Sequence, residues 1–278
     1  MESQKAEQFL RRFPGAVLVT VLSAQGSTPR DAGAFMLVSD AAIFGTIGGG
    51  QLEYMAIDRA RQMLRGGDTA GSMQIGLGPE IGQCCGGRVA LKLQRIDEAL
   101  ALEIFASERR EFDSLPHVFV FGAGHVGNAL CRALGLLPLR TILVDTRQAE
   151  LSAAPEGTET HLAAMPEDIV RQAPASSAFL ILTHDHALDF LILKEALART
   201  DAAYVGMIGS KTKRGTFNSW FKREGGDAAS LERLVCPMGG SAVKDKRPEV
   251  IAALTAAEVM SAVARHAAKA RKLREISN

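Results

Sequence analysis

The chain has 278 residues, of which 47% are hydrophobic and 23% charged, and its formal net charge is +1. That length suits about two domains with buried cores, and the near-neutral charge offers no basic field of the kind that draws a protein to nucleic acid. No uninterrupted apolar run approaches the roughly 18 residues of a membrane-spanning helix, so neither nucleic acid nor membrane is an expected partner.

The opening stretch MESQKAEQFLRRF mixes acids and bases on an amphipathic pattern and has no apolar segment like that of a signal peptide. A cytoplasmic protein with reduced thiols is the expectation. Ala16 to Ala24 and Ala34 to Ser39 are rich in Val and Leu and bounded by Gly, Pro and Asp, which predicts two strands. Between them lies GSTPR, with Ser27, Thr28 and Arg30 as side-chain donors. Next comes GTIGGG, where the N–H groups of Gly48, Gly49 and Gly50 can form an anion nest at the start of a helix. In that helix, QLEYMAIDRARQML, Leu52, Met55, Ala56, Ala60 and Met63 share one face. The glycine loop has no Walker lysine, so it is no P-loop.

EIGQCCGGRVAL, Glu80 to Leu91, sets Cys84 beside Cys85 on a glycine-flanked loop. Adjacent α-carbons lie about 3.8 Å apart, while disulfides want about 4.4 to 6.8 Å. A bridge within the doublet would therefore distort the peptide. Zinc spacing is absent as well, since no C-x-x-C or H-x₃₋₅-H pair accompanies the doublet. Two small buried hydrophobes in a strand are one reading. The other is a pair of thiols lining one cleft, which positive φ at the flanking glycines allows. RVALKLQ reads as the next strand, and DEALALEIFASERREF as a polar helix ending near Ser114 and Pro116, where a domain boundary is expected.

From His117 the chain alternates strand, turn and helix, which implies βαβ units around a parallel sheet. The predicted strands are HVFVF, RTILV, AFLILT and AAYVGMI; the predicted helices cover Asn128 to Leu134, Asp185 to Arg199 and Pro248 to Lys272. VFVFGAGHVGNAL carries G-x-G-x-x-G at Gly122, Gly124 and Gly127 between a strand and a helix, the context of a dinucleotide fingerprint. Asp145 ends the next strand, at the expected distance to bond a ribose hydroxyl, and Arg147 is placed to meet a 2′-phosphate. LTHDHALD puts Thr183, His184, Asp185 and His186 at one strand end, and GMIGSKTKR puts Ser210, Lys211, Lys213 and Arg214 at the next. Ligands bind at the carboxyl ends of such strands, and these cations suit a phosphate. Asp185 and Ser210 read equally well as helix N-caps.

The stretches GSTPR, GTIGGGQLE, GQCCGG, VFGAGHVG, VDTR, THDHALD and GMIGSKTKR together resemble the XdhC/CoxI family of xanthine dehydrogenase accessory proteins. The resemblance implies an N-terminal mixed α/β XdhC/CoxI domain over residues 1–113 and a Rossmann-like parallel-sheet domain over residues 114–278. It further implies a molybdenum cofactor (molybdopterin) chaperone that holds the cofactor for sulfuration by a cysteine desulfurase and delivers it to apo-xanthine dehydrogenase, with no turnover of its own. Cys84 and Cys85 take the role of meeting the molybdenum. Ser27, Thr28, Arg30, Gly48, Gly49, Gly50, Gly122, Gly124, Gly127, Asp145, His184 and Lys211 complete the expected cofactor-binding set. Two departures from the family stand out: Gln51 replaces a cysteine found in many relatives, and the stretch after Cys236 is poorer in glycine. A homodimer is compatible with the sequence. The alternative reading is a small NAD(P)-dependent oxidoreductase, with NAD(P) or another nucleotide at the Rossmann site; it leaves the cysteine doublet without a role.

Overall fold

The computed structural model describes residues 5–78 and 86–277. The chain forms two compact units that divide between Asp113 and Ser114.

The first unit is built on a five-stranded sheet: β1 (Val17–Gln25), β2 (Phe35–Val38), β3 (Ile43–Gly45), β4 (Ala70–Gly76) and β5 (Arg88–Arg95), in the order β3-β2-β1-β5-β4. Every pairing is antiparallel. Three helices pack on it: α1 (Lys5–Arg12), α2 (Gly50–Gly66) and α3 (Glu98–Ser114). The first half of β1 is apolar at successive positions because both of its faces are covered there, Val17, Leu18 and Val19 all being buried. Val17, Val19 and Val21 pack with the buried side of α2, namely Leu52, Ala56, Ile57, Ala60 and Met63. Leu18 faces the other way, toward Ala6 and Leu10 of α1 and Ile104 of α3. Burying one large aliphatic side chain of this kind contributes about 1.5–3 kcal/mol. The predicted apolar face of α2 is close to the observed one, except that Ile57 is buried and Met55 only half-buried. α2 ends where Gly67, in the left-handed conformation at φ 80°, donates its N–H to Met63 O.

Where α1 meets α3, the Glu108 carboxyl is pushed up to about 7, chiefly by burial, with Glu111 and Glu7 adding repulsion. Its Oε2 is buried without a hydrogen-bond partner. Between the ordinary value of 4.5 and about 7, the folded chain holds a proton that the unfolded chain has released. Stability contributed by this group is therefore lost as pH rises through that window. Glu108→Gln is expected to flatten the dependence and to raise the melting temperature at pH 8 by a few degrees, about 1 kcal/mol after allowing for solvent screening of this half-buried group. Thermal melts of both proteins from pH 5 to pH 8 check this; parallel curves would refute it.

The second unit holds a six-stranded parallel sheet: β6 (His117–Phe121), β7 (Arg140–Asp145), β8 (Glu159–Leu162), β9 (Ala178–Ile181), β10 (Tyr204–Met207) and β11 (Leu234–Val235). The spatial order is β11-β10-β9-β6-β7-β8. Numbered within this sheet, that is 3-2-1-4-5-6, the doubly wound Rossmann order with its switch point between β6 and β9. Helices α4 (His125–Leu134) and α9 (Pro248–Ser277) cover one face, and α6 (Pro166–Gln172), α7 (His186–Ala198) and α8 (Lys211–Arg223) cover the other. A short α5 (Gln148–Leu151) follows β7. Each sheet face has its own core, Val118, Val120 and Leu180 on one side and Phe119, Phe121, Phe179 and Ile181 on the other.

α9 is long and apolar enough to cross a membrane by length and composition alone. Here its Ala252, Ala256, Val259 and Val263 pack into the core that α4 also lines. On the opposite face, arginines satisfy carbonyls left at helix ends. Arg199 donates to Val170 O at 2.8 Å and Ala173 O at 2.5 Å after α6. Arg233 donates to Leu197 O and Arg199 O after α7.

Candidate functional site

In the second unit, the switch point places the glycine motif. A side chain at Gly122, whose φ is +120°, would meet Leu182 O just beyond β9 at 2.4 Å. One at Gly127 would meet Gly122 O at 1.9 Å. The turn after β6 and the first turn of α4 therefore press together in a way that only glycine permits. Phe121, Val144, Asp145, Thr146, Thr183 and His184 line a small notch at the carboxyl ends of β6, β7 and β9. Asp145 and His184 thus share one rim, as the strand-end argument expected, and His184 is exposed there.

Asp145 does not present a free carboxylate to that rim. Its Oδ2 accepts from Ala123 N at 2.8 Å and Arg147 Nη2 at 3.1 Å. Its Oδ1 accepts from Arg147 N and Arg147 Nε, both at 3.0 Å. Burial alone would raise the pKa; the bonds from the Arg147 side chain, Ala123 N–H and Arg147 N–H outweigh it and hold the carboxyl below its ordinary value.

The two strand-end motifs also turn inward. Asp189, the last residue of THDHALD, is fully buried. It accepts from Thr183 N at 2.9 Å, from Thr183 Oγ1 at 2.7 Å and from Lys213 Nζ at 2.5 Å. Lys213 lies across Gly209, where a Cβ would sit 2.8 Å from its Cδ. Arg214 Nη1 donates to Cys236 O at 3.2 Å. Of the three cations expected to meet a phosphate, Lys213 and Arg214 are held by the protein itself, while Lys211 is exposed. Asp185 and Ser210 do cap their helices, accepting from Ala187 N at 2.7 Å and Lys213 N at 3.2 Å. Asp189 received no role from sequence reasoning, although a carboxylate inside the apolar run ALDFLIL is a signal of a buried partner.

In the first unit, the GSTPR and GTIGGG loops come together. A Cβ on Gly48 would lie 2.5 Å from Pro29 Cγ and 3.6 Å from Arg30 Cγ. Of the three expected nest donors, Gly49 N meets an internal anion, Glu53, and Gly48 N donates to Thr46 Oγ1 at 3.1 Å. Glu53 Oε2 accepts from Thr46 Oγ1 at 2.5 Å, Gly49 N at 3.0 Å and Ile47 N at 3.2 Å. A carboxylate one turn into α2 thus serves the N–H groups that precede the helix, as in a capping box. Ser27 and Arg30 are exposed beside it, and Thr28 is half-buried. Cys84 and Cys85 lie outside the described residues, but both flanks of their loop are placed. Leu77 N donates to Gly87 O and Gly86 N to Leu77 O, each at 2.7 Å. Gly86 also bridges Ser27. At Gly87 a Cβ would come within 2.3 Å of Ser27 O. The cysteine loop therefore leaves and re-enters the sheet beside GSTPR.

These features define a two-unit α/β protein, an antiparallel sheet layered by helices joined to a doubly wound Rossmann sheet. Residues 118–259 match the family described as the XdhC Rossmann domain, and residues 11–75 match the XdhC and CoxI family. The chain belongs to the XdhC and CoxI family. It is 24% identical over 253 residues to the uncharacterized protein YqeB of Escherichia coli K12, covering 87% of this chain and 42% of that relative's length. A solved structure described as a xanthine dehydrogenase from Bacillus halodurans superposes with a TM-score of 0.73 at 17% identity, over 94% of this chain and 96% of that one, which is a likeness of fold. The NAD(P)-binding domain of an exopolyphosphatase-related protein from Archaeoglobus fulgidus gives a TM-score of 0.32 at 25% identity, over 37% of this chain and 80% of that one, and carries no argument.

Proposed function

We propose that the protein is a cytoplasmic accessory protein of xanthine dehydrogenase that binds the molybdenum cofactor and has no turnover of its own. In this reading it holds the cofactor for sulfuration by a cysteine desulfurase and passes it to the apo-dehydrogenase. The observation that carries the proposal is family membership spanning both units. The site chemistry supports it. The cofactor is a soft metal centre on a dithiolene with a phosphate tail, and thiolates are the side chains that select soft metals. Ser27 and Thr28 stand beside Gly86 and Gly87 at the flank of the cysteine loop, and Arg30 lies against Gly48; each can donate to an anionic ligand. Glu53 in the glycine cradle repels an anion there, so the phosphate is assigned to the GSTPR side.

Protein purified from a host that makes the cofactor is expected to carry pterin, seen as fluorescence after oxidation, together with molybdenum. Absence of both from folded protein would defeat the proposal. A host lacking this chain is expected to make dehydrogenase polypeptide with little active sulfido-molybdenum cofactor.

A further inference from the structure

The Rossmann fold implies a dinucleotide, and the residues at its recognition point do not fit one. A ribose diol is read by a carboxylate with free acceptor positions at the end of the second strand. An ionised carboxylate offers about four such positions. On Asp145 they meet Ala123 N, Arg147 N, Arg147 Nε and Arg147 Nη2 at 2.8 to 3.1 Å, and the side chain is 3% exposed. A 2′-phosphate fares no better. The Arg147 fork that would receive it faces Asp145 on one edge, and its Nη1 lies 3.3 Å from Glu150 Oε1 on the other. The incoming phosphate would meet two carboxylates at the same place.

We infer that Asp145 and Arg147 form an internal clamp that closes this Rossmann unit to both NAD and NADP, and that the clamp has exchanged ribose recognition for fixing the glycine turn. The bond from Ala123 N ties the loop between Gly122 and Gly124 to the end of β7. The bonds from Arg147 tie that strand end to the start of α5. The inference does not rest on the accessory-protein reading, because it concerns only the second unit and nucleotides.

Arg147 is the removable half of the clamp, since its side chain is 36% exposed and the Ala123 and Arg147 N–H bonds to Asp145 survive its loss. Thermal unfolding of the full chain is followed with NAD and with NADP, each to about 5 mM. A bound ligand raises the midpoint by mass action. The wild-type protein is expected to shift by less than about 0.5 °C with either. Arg147→Ala, with Arg147→Gln as the gentler variant, is expected to gain a rise of about 2–3 °C with NAD and none with NADP. Two results would overturn the inference: a wild-type shift with NAD that Asp145→Asn abolishes, or folded Arg147 variants that gain no response to NAD.

Discussion

Alanine at Cys84 or Cys85 is expected to reduce the molybdopterin retained per folded protein at least about tenfold, the order of loss seen when a group that supports a metal is removed. The melting temperature is expected to stay near that of the wild type, because a thiol that serves a ligand is not part of the packing. Cofactor-loaded wild-type protein added to apo-xanthine dehydrogenase should restore activity, and the Cys84→Ala protein should do so poorly. Cys131 and Cys236 are the controls. Both are buried. Burial pushes the Cys131 thiol up to about 12, so it stays protonated and unreactive. Alanine there is expected to cost stability through packing and to leave cofactor per folded molecule unchanged. The opposite pattern, in which the doublet variants melt early yet keep their cofactor, would make Cys84 and Cys85 packing residues.

Lys213→Ala is expected to be the most destabilising change at the Rossmann rim. Asp189 has no solvent exposure, and its charge partner is Lys213 at 2.5 Å. Removing the ammonium leaves a buried carboxylate with only the two Thr183 donors. Breaking one side of a buried pair costs about 3–5 kcal/mol, which for a unit of this size lowers the melting temperature by about 10 °C. The double variant Asp189→Leu with Lys213→Met removes both charges and should recover much of the loss, because apolar groups of similar volume replace a buried pair at little cost. A double-mutant cycle by thermal or urea unfolding measures the coupling. Additive effects of the single changes would show that the pair contributes nothing as a pair. The geometry also relates the two motifs. THDHALD and GSKTKR had been assigned to a ligand, and what joins them is this bond between α7 and α8.

Much of the architecture was legible because periodicity and punctuation are local. The Val- and Leu-rich runs, the G-x-G-x-x-G turn and the Pro248 helix start each specify their element from a few neighbouring residues, and the predicted strands of both units form where expected. The parallel sheet followed from alternation of strand and helix, whereas its strand order was set by the tertiary structure. Motif content and order were enough to place the chain in its family. The destination of each charged side chain was not legible. Asp145 and Lys213 look from sequence like ligand-facing groups, because a strand end or helix start is where ligands meet a fold, while Asp189 and Glu53 carry no such mark. Whether such a group faces outward or is consumed within the protein depends on a partner brought close by the tertiary fold, or on a rotamer that folds back along the chain. Asp189 and Lys213 are 24 residues apart, and they meet because parallel strands set β9 beside β10. Asp145 and Arg147 are two residues apart, yet their clamp also needs Ala123, carried to the same point by β6. The sequence by itself determined which backbone would form and which family it belongs to, since those rest on local preference and motif order. The tertiary structure decided which charges remain available to a ligand, since a buried carboxylate must be paired, and the pairing exists only once the strands are side by side.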